Sequence, residues 1–121
     1  MPKKSMDILT ESMFYVLMSL TKGPKCGTEI TDFITRLTKG RLQMGPATLY
    51  TILGKFEKER MIKEVRVEGR KRTYEITRKG TEGYLEELAR LKQCIADAEG
   101  GISYEEDPQT CSLRPLRCGA N

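Results

Sequence analysis

The chain has 121 residues, enough for one small domain with a single core and too few for two. Its 21 Lys and Arg against 17 Asp and Glu leave a net charge of +4, which does not by itself imply nucleic acid, and no apolar run is long enough to span a bilayer. Histidine is absent, which removes the commonest general base and zinc ligand and closes off Ser-His-Asp and Cys-His arrangements, so an enzyme is not expected and no cofactor or metal is implied. No signal-peptide pattern follows Met1-Pro2-Lys3-Lys4, so a cytoplasmic protein with reduced thiols at Cys26, Cys94, Cys111 and Cys118 is the expectation.

In chain order, Thr10-Glu11 marks a helix start, and Met13, Val16, Leu17 and Leu20 recur at helical spacing up to Gly23-Pro24, which predicts a helix over 11–22. Phe14, Tyr15 and Met18 are apolar on a second side of it, as in a central buried helix or one that meets a partner subunit. Ile30, Phe33, Ile34 and Leu37 predict a second helix over 28–38, with Gly40 at its C-terminal cap. A third helix opens at Gly45 as N-cap and Pro46 at the first helical position, where a fixed helical φ and a missing N–H cost nothing. Leu49, Leu53 and Phe56 form its inward stripe, while Thr48, Thr51 and Lys55, with Tyr50 beside them, form a polar face.

Past Met61 the apolar period changes from helical to alternating. Val65 and Val67, then Tyr74 and Ile76, alternate with charged residues around Gly69 and predict a hairpin over 62–67 and 72–76. Its tip carries Arg70, Lys71 and Arg72, and the stretch from Lys55 to Lys79 holds ten cations against five carboxylates, so the positive field is concentrated here. Thr77 is the N-cap of a last helix reaching about Ala98, whose Tyr84, Leu88, Leu91, Ile95 and Ala98 step by four and three as a heptad seam. Such a seam needs covering, either by the same helix of a second subunit or by its own domain. Gly100-Gly101, Pro108 and Pro115 mark the rest as a linker and tail. The expected fold class is mostly α with a small β-hairpin, organised as a unit over 1–77, a helix over 78–99 and a flexible tail over 100–121.

Leu9-Thr10-Glu11, Tyr15-Val16-Leu17, Gly27-Thr28-Glu29-Ile30, Gly45-Pro46-Ala47-Thr48-Leu49-Tyr50 with Leu53, and the run from Arg70 to Gly80 together resemble the PadR-type family of bacterial winged-helix transcriptional regulators. The resemblance covers about residues 8–98 and is to the short form with one C-terminal helix. It implies a winged helix-turn-helix, a homodimeric repressor of double-stranded DNA, and a small-molecule effector whose binding releases the DNA. The third helix would lie in the major groove, with Pro46, Thr48, Tyr50, Thr51 and Lys55 at the DNA, and Arg70, Lys71 and Arg72 on phosphates. The dimer interface would take Phe14, Tyr15, Met18, Tyr84, Leu88, Leu91 and Ile95. The chain has no tryptophan, so a pocket stacking flat ligands on an indole does not carry over, and Arg60-Met61 stands where many relatives have a glycine.

Two rival readings remain at this point. Cys94 beside the seam, with Cys111 and Cys118 in the tail, would suit a thiol- or metal-responsive sensor. A winged helix can also bind protein instead of DNA.

Overall fold

A computed structural model describes residues 9–101. The elements follow the order α1 (Glu11–Thr21), β1 (Lys25–Cys26), α2 (Gly27–Leu37), α3 (Pro46–Lys58), β2 (Ile62–Glu68), β3 (Lys71–Ile76) and α4 (Arg78–Ala96), closed by a π-type turn at Asp97–Gly101. The chain divides into two compact units, Met1–Glu87 and Leu88–Asn121. The anticipated tail lies outside the described residues apart from its first two positions.

In the first unit the three helices cover one antiparallel sheet of order β1-β3-β2. Val16, Leu17, Ile30, Ile34, Leu53 and Phe56 are at most 1% exposed, so α1, α2 and α3 share a single core. The helix starts follow the caps read from the sequence. The Met13 N–H donates to Thr10 Oγ1 at 3.2 Å, and Gly45 precedes Pro46 in extended conformation and accepts the first helical bond from the Leu49 N–H at 3.0 Å.

Strand β1 has no counterpart among the elements that the sequence predicts. Two residues carry no periodicity, and it exists because Lys25 and Cys26 pair with Tyr74 and Thr73 across the sheet. The hairpin also differs from simple alternation. Register shifts between Glu64 and Arg66, leaving Val65 as an extra residue, and Val65 and Val67 are 43% and 54% exposed. The buried hairpin residues are Ile62 and Tyr74, nearer the helices. Gly69, at φ +64°, opens the two-residue loop, as the first position of a type II′ turn demands.

Helix C-termini depart from expectation at two places. The end of α2 is capped through Lys39 at φ +55°, followed by Gly40 at φ +81°; the Gly40 N–H reaches Thr35 O at 2.8 Å and the Lys39 N–H reaches Arg36 O at 3.2 Å. At the end of α3, Arg60 takes φ +64° in the same motif, with the Met61 N–H on Phe56 O at 2.8 Å and the Arg60 N–H on Glu57 O at 3.0 Å. Arg60 thus stands in the left-handed conformation that glycine adopts without penalty. The loop after it is locked to the start of α4. Thr77 Oγ1 donates to Arg60 O at 2.7 Å, the Thr77 N–H donates to Met61 O at 2.9 Å, and Thr77 Oγ1 accepts the Gly80 N–H at 3.1 Å.

The first turns of α4 belong to the first unit, with Gly80 and Glu87 buried and Tyr84 stacked on Phe14 at 5.0 Å between ring centroids. A Cβ on Gly80 would collide with the Met61 carbonyl oxygen and stand 2.8 Å from Ile76 Cγ1. In the second unit the α-helix ends at Ala96, short of the anticipated Ala98, where the π-type turn begins. Ala98 therefore does not continue the heptad spacing.

The junction yields a paired expectation for denaturant unfolding. Arg60→Gly relieves the left-handed strain and raises the unfolding free energy by about 0.5–1 kcal/mol. Gly80→Ala forces the α3–β2 loop off α4 and lowers it by about 1–3 kcal/mol. Equal midpoints for wild type and both variants would show that the junction is not under the constraint described.

Candidate nucleic-acid interface

Helix α3 divides cleanly by burial. Leu49, Ile52, Leu53 and Phe56 face the core at 7% exposure or less, Ile52 joining the stripe read from the sequence, while Pro46, Thr48, Tyr50, Thr51 and Lys55 are all exposed. Thr51 Oγ1 donates to Ala47 O at 2.9 Å, so outward it offers lone pairs and a methyl group but no proton. Tyr50 is 51% exposed, and its hydroxyl end lies against the start of α2: a Cβ on Gly27 would stand 2.5 Å from Tyr50 Oη and 3.3 Å from Leu49 Cδ2. Gly27 is thus the close-approach point between the two helices, which its place in the sequence did not reveal.

The turn between α2 and α3 is held by Thr38, whose Oγ1 donates to Ile34 O at 2.8 Å and accepts the Leu42 N–H at 3.1 Å. Arg41 anchors the same turn to α1, reaching Glu11 Oε2 at 2.9 Å and Tyr15 Oη at 3.0 Å, and the Glu11 carboxylate holds its pKa above the ordinary value. The pair is exposed and adds little to stability, but it fixes where the turn sits. Tyr15 is therefore engaged within its own chain, Phe14 is buried against Tyr84, and Met18 is half-buried.

At the start of α2, Glu29 Oε1 accepts the Cys26 N–H at 2.9 Å. That bond holds the Glu29 carboxyl below its ordinary range, with the positive charges of Lys71 and Lys25 adding smaller contributions. Between the two helix starts lies a small notch of about 140 Å³, lined by Gly27, Thr28, Thr31, Met44, Pro46, Leu49 and Tyr50. Thr28, Thr31 and Met44 escaped the sequence reading because nothing in their spacing links them to α3.

The wing's three cations are not equivalent. Arg72 has Glu64 at 3.8 Å, and the Tyr74 hydroxyl followed by Glu64 raises its pKa above the usual arginine value. Tyr74 is itself pushed up by burial. Among the described residues no carboxylate comes within salt-bridge distance of Arg70 or Lys71, and all three cations are exposed. Cys26 is buried and Cys94 exposed, Cys111 and Cys118 lie outside the described residues, and no cluster of metal-ligating side chains occurs among the described ones. No described helix is long and apolar enough to cross a membrane.

A half-exposed helix with polar outer residues, a tight turn before it and a two-stranded wing behind it make a winged helix-turn-helix. The model of the transcriptional regulator PadR-like family matches residues 16–86, more than half of the chain. The chain belongs to the PadR-like family. Among solved structures, a transcriptional regulator from Clostridium thermocellum is 27% identical, with 73% of this chain and 91% of that one covered and a TM-score of 0.61. A PadR-like transcription factor from Bacteroides fragilis shares the fold at 21% identity, covering 75% and 89% with a TM-score of 0.64. Bacillus subtilis PadR, solved in complex with operator DNA, shares it at 22% identity over 65% of this chain and 47% of that one, with a TM-score of 0.58. No curated protein matches the sequence.

The lowered Glu29 carboxyl gives a stability expectation with a defined sign. A depressed carboxyl stabilises the fold above its unfolded value of 4.5, and that contribution is lost as pH falls through the lower folded value. Glu29→Ala therefore lowers the thermal midpoint at pH 7, and the gap from wild type narrows below pH 4.5. A gap independent of pH between 3 and 7 would exclude the charged cap as its cause.

Proposed function

We infer that this PadR-like protein is a DNA-binding repressor that grips an inverted-repeat operator as a homodimer and is released by a small-molecule effector. The carrying observation is that the outer face of α3 is exposed. Thr48, Tyr50, Thr51 and Lys55 are exposed, beside a wing with two cations that no described carboxylate neutralises. Hydroxyls and a lysine on a helix of this kind suit base edges and phosphates in the major groove, Pro46 lets the helix end approach closely, and Arg70 and Lys71 suit the phosphate backbone. The operator complex of Bacillus subtilis PadR, which shares the fold, supports DNA as the partner.

A second copy of the chain is the natural cover for the last helix. Ile95 is 55% exposed and Leu88 and Leu91 only half-buried, so the four-and-three seam is available to an equivalent helix. Phe14, Tyr15 and Met18 of α1 and Tyr84 of α4 complete the set of residues we assign to the partner contact, although Phe14 and Tyr84 already stack on each other. Two-fold symmetry then sets half-sites about one helical turn of DNA, or a multiple of it, apart.

The unequal wing cations make this testable on any DNA the protein binds. Arg70→Ala and Lys71→Ala each lower affinity for specific and random duplexes alike and reduce the salt slope by about one unit. Arg72→Ala changes the slope less, because Glu64 already shares its charge. Gel shifts across a salt series that gave unchanged slopes for all three variants would remove the wing from the interface. Leu91→Glu, on the seam, converts the dimer to monomer by sedimentation and abolishes cooperative binding to a two-half-site duplex; a persistent dimer would place the interface elsewhere.

A further inference from the structure

We propose that the notch between the starts of α2 and α3 is a specificity pocket that takes the 5-methyl group and adjoining edge of one thymine in each half-site. The inference rests on the reading of α3 as the DNA-facing helix and names what one part of its surface recognises. Three properties of the notch carry it. It is continuous with that surface, since Pro46 and Tyr50 line the notch and also stand on the outer side of α3. At about 140 Å³ it is well below the 300–1,000 Å³ typical of drug-sized ligands, which sets it apart from a site for an effector.

The third property is the chemistry of its lining. No carboxylate, ammonium or guanidinium borders the notch, so a phosphate would be stripped of water there without a counter-charge. Met44, Pro46 and Leu49 supply an apolar lining, Leu49 being 2% exposed, and the Tyr50 ring supplies another wall. Thr31 Oγ1 donates to Thr28 O at 3.1 Å, so its own proton is committed within the helix. What is left is an apolar recess with hydroxyl oxygens beside it. In the major groove, the apolar group that distinguishes one base from the others is the thymine methyl. Gly27 keeps the recess open, because a Cβ at that position would displace the Tyr50 hydroxyl.

The test starts from duplexes selected by the full-length protein out of a random pool. Each thymine of a selected duplex is replaced singly by uracil, which removes only the methyl group, and dissociation constants are read by fluorescence anisotropy. One thymine per half-site is expected to lose about fourfold in affinity on demethylation, the loss from leaving one buried methyl unburied. In Met44→Ala, which alters the lining at a loop position outside the core, that uracil penalty disappears. In Arg70→Ala, overall affinity falls and the penalty stays. Uracil tolerated at every position, or an undiminished penalty in Met44→Ala, overturns the pocket while leaving DNA binding intact. Recovery of no enriched duplex overturns the DNA-binding reading, and the pocket with it.

Discussion

The carbonyl groups of Arg60 and Met61 are where three elements meet, and the placement of α3 relative to the wing depends on them. Met61 ends α3 through its N–H on Phe56 O, begins β2 one residue later, and receives the Thr77 N–H at the start of α4. Arg60 O takes the Thr77 hydroxyl at 2.7 Å. One side chain, Thr77, therefore ties the end of α3 to the start of α4, and the wing leaves from between them. Because Gly80 packs directly on the Met61 carbonyl, the contact has no slack in which a Cβ could sit. The orientation of α3 and the departure angle of the wing are set together, so any partner that needs both at once meets them already arranged.

Such a junction requires the chain to reverse within two residues, and Arg60 does so at φ +64°. An arginine here costs strain that a glycine would not, on the order of 1 kcal/mol. The Schellman hydrogen bonds and the burial of Met61 against the core hold it in place. The strain is thus borne by packing around Met61 and Phe56, both nearly inaccessible, and not by the exposed face of α3.

Much of this was legible in the sequence because it is encoded locally. Thr10, Gly45-Pro46 and Thr77 announce helix starts through their own side chains or fixed dihedrals, and each start falls where its cap predicts. The period change past Met61 gives the hairpin, and the motifs between Leu9 and Gly80 that resemble the PadR-type family imply the winged fold. The parts that escaped are those fixed by neighbours distant in sequence. Strand β1 is two residues that become a strand only when β3 lies beside them. The bulge at Val65 breaks the alternation of pairing, and both valines are exposed. Gly40 looked like the left-handed cap of α2, but Lys39 adopts that conformation first, because the hydrogen bonds count residues from the end of the helix and do not select for glycine. At the candidate site, the exposed residues of α3 could be read from periodicity, whereas Thr28, Thr31 and Met44 join it only through the approach of two helices.

That approach gives Tyr50 two roles that constrain each other. Its hydroxyl end leans on the start of α2, where position 27 carries no side chain, yet half of its surface stays open on the outer side of the same helix. A smaller residue would leave Gly27 uncovered and loosen the helix pair, and a larger one would close the notch. The wing shows the same division of labour along a different axis. Arg72, drawn in by Glu64 and Tyr74, steadies the ribbon, while Arg70 and Lys71 beyond it keep their charge for whatever approaches. At Tyr50 one side chain divides between packing and exposure, and in the wing adjacent cations are divided by their neighbours into one that steadies the ribbon and two that no described carboxylate neutralises.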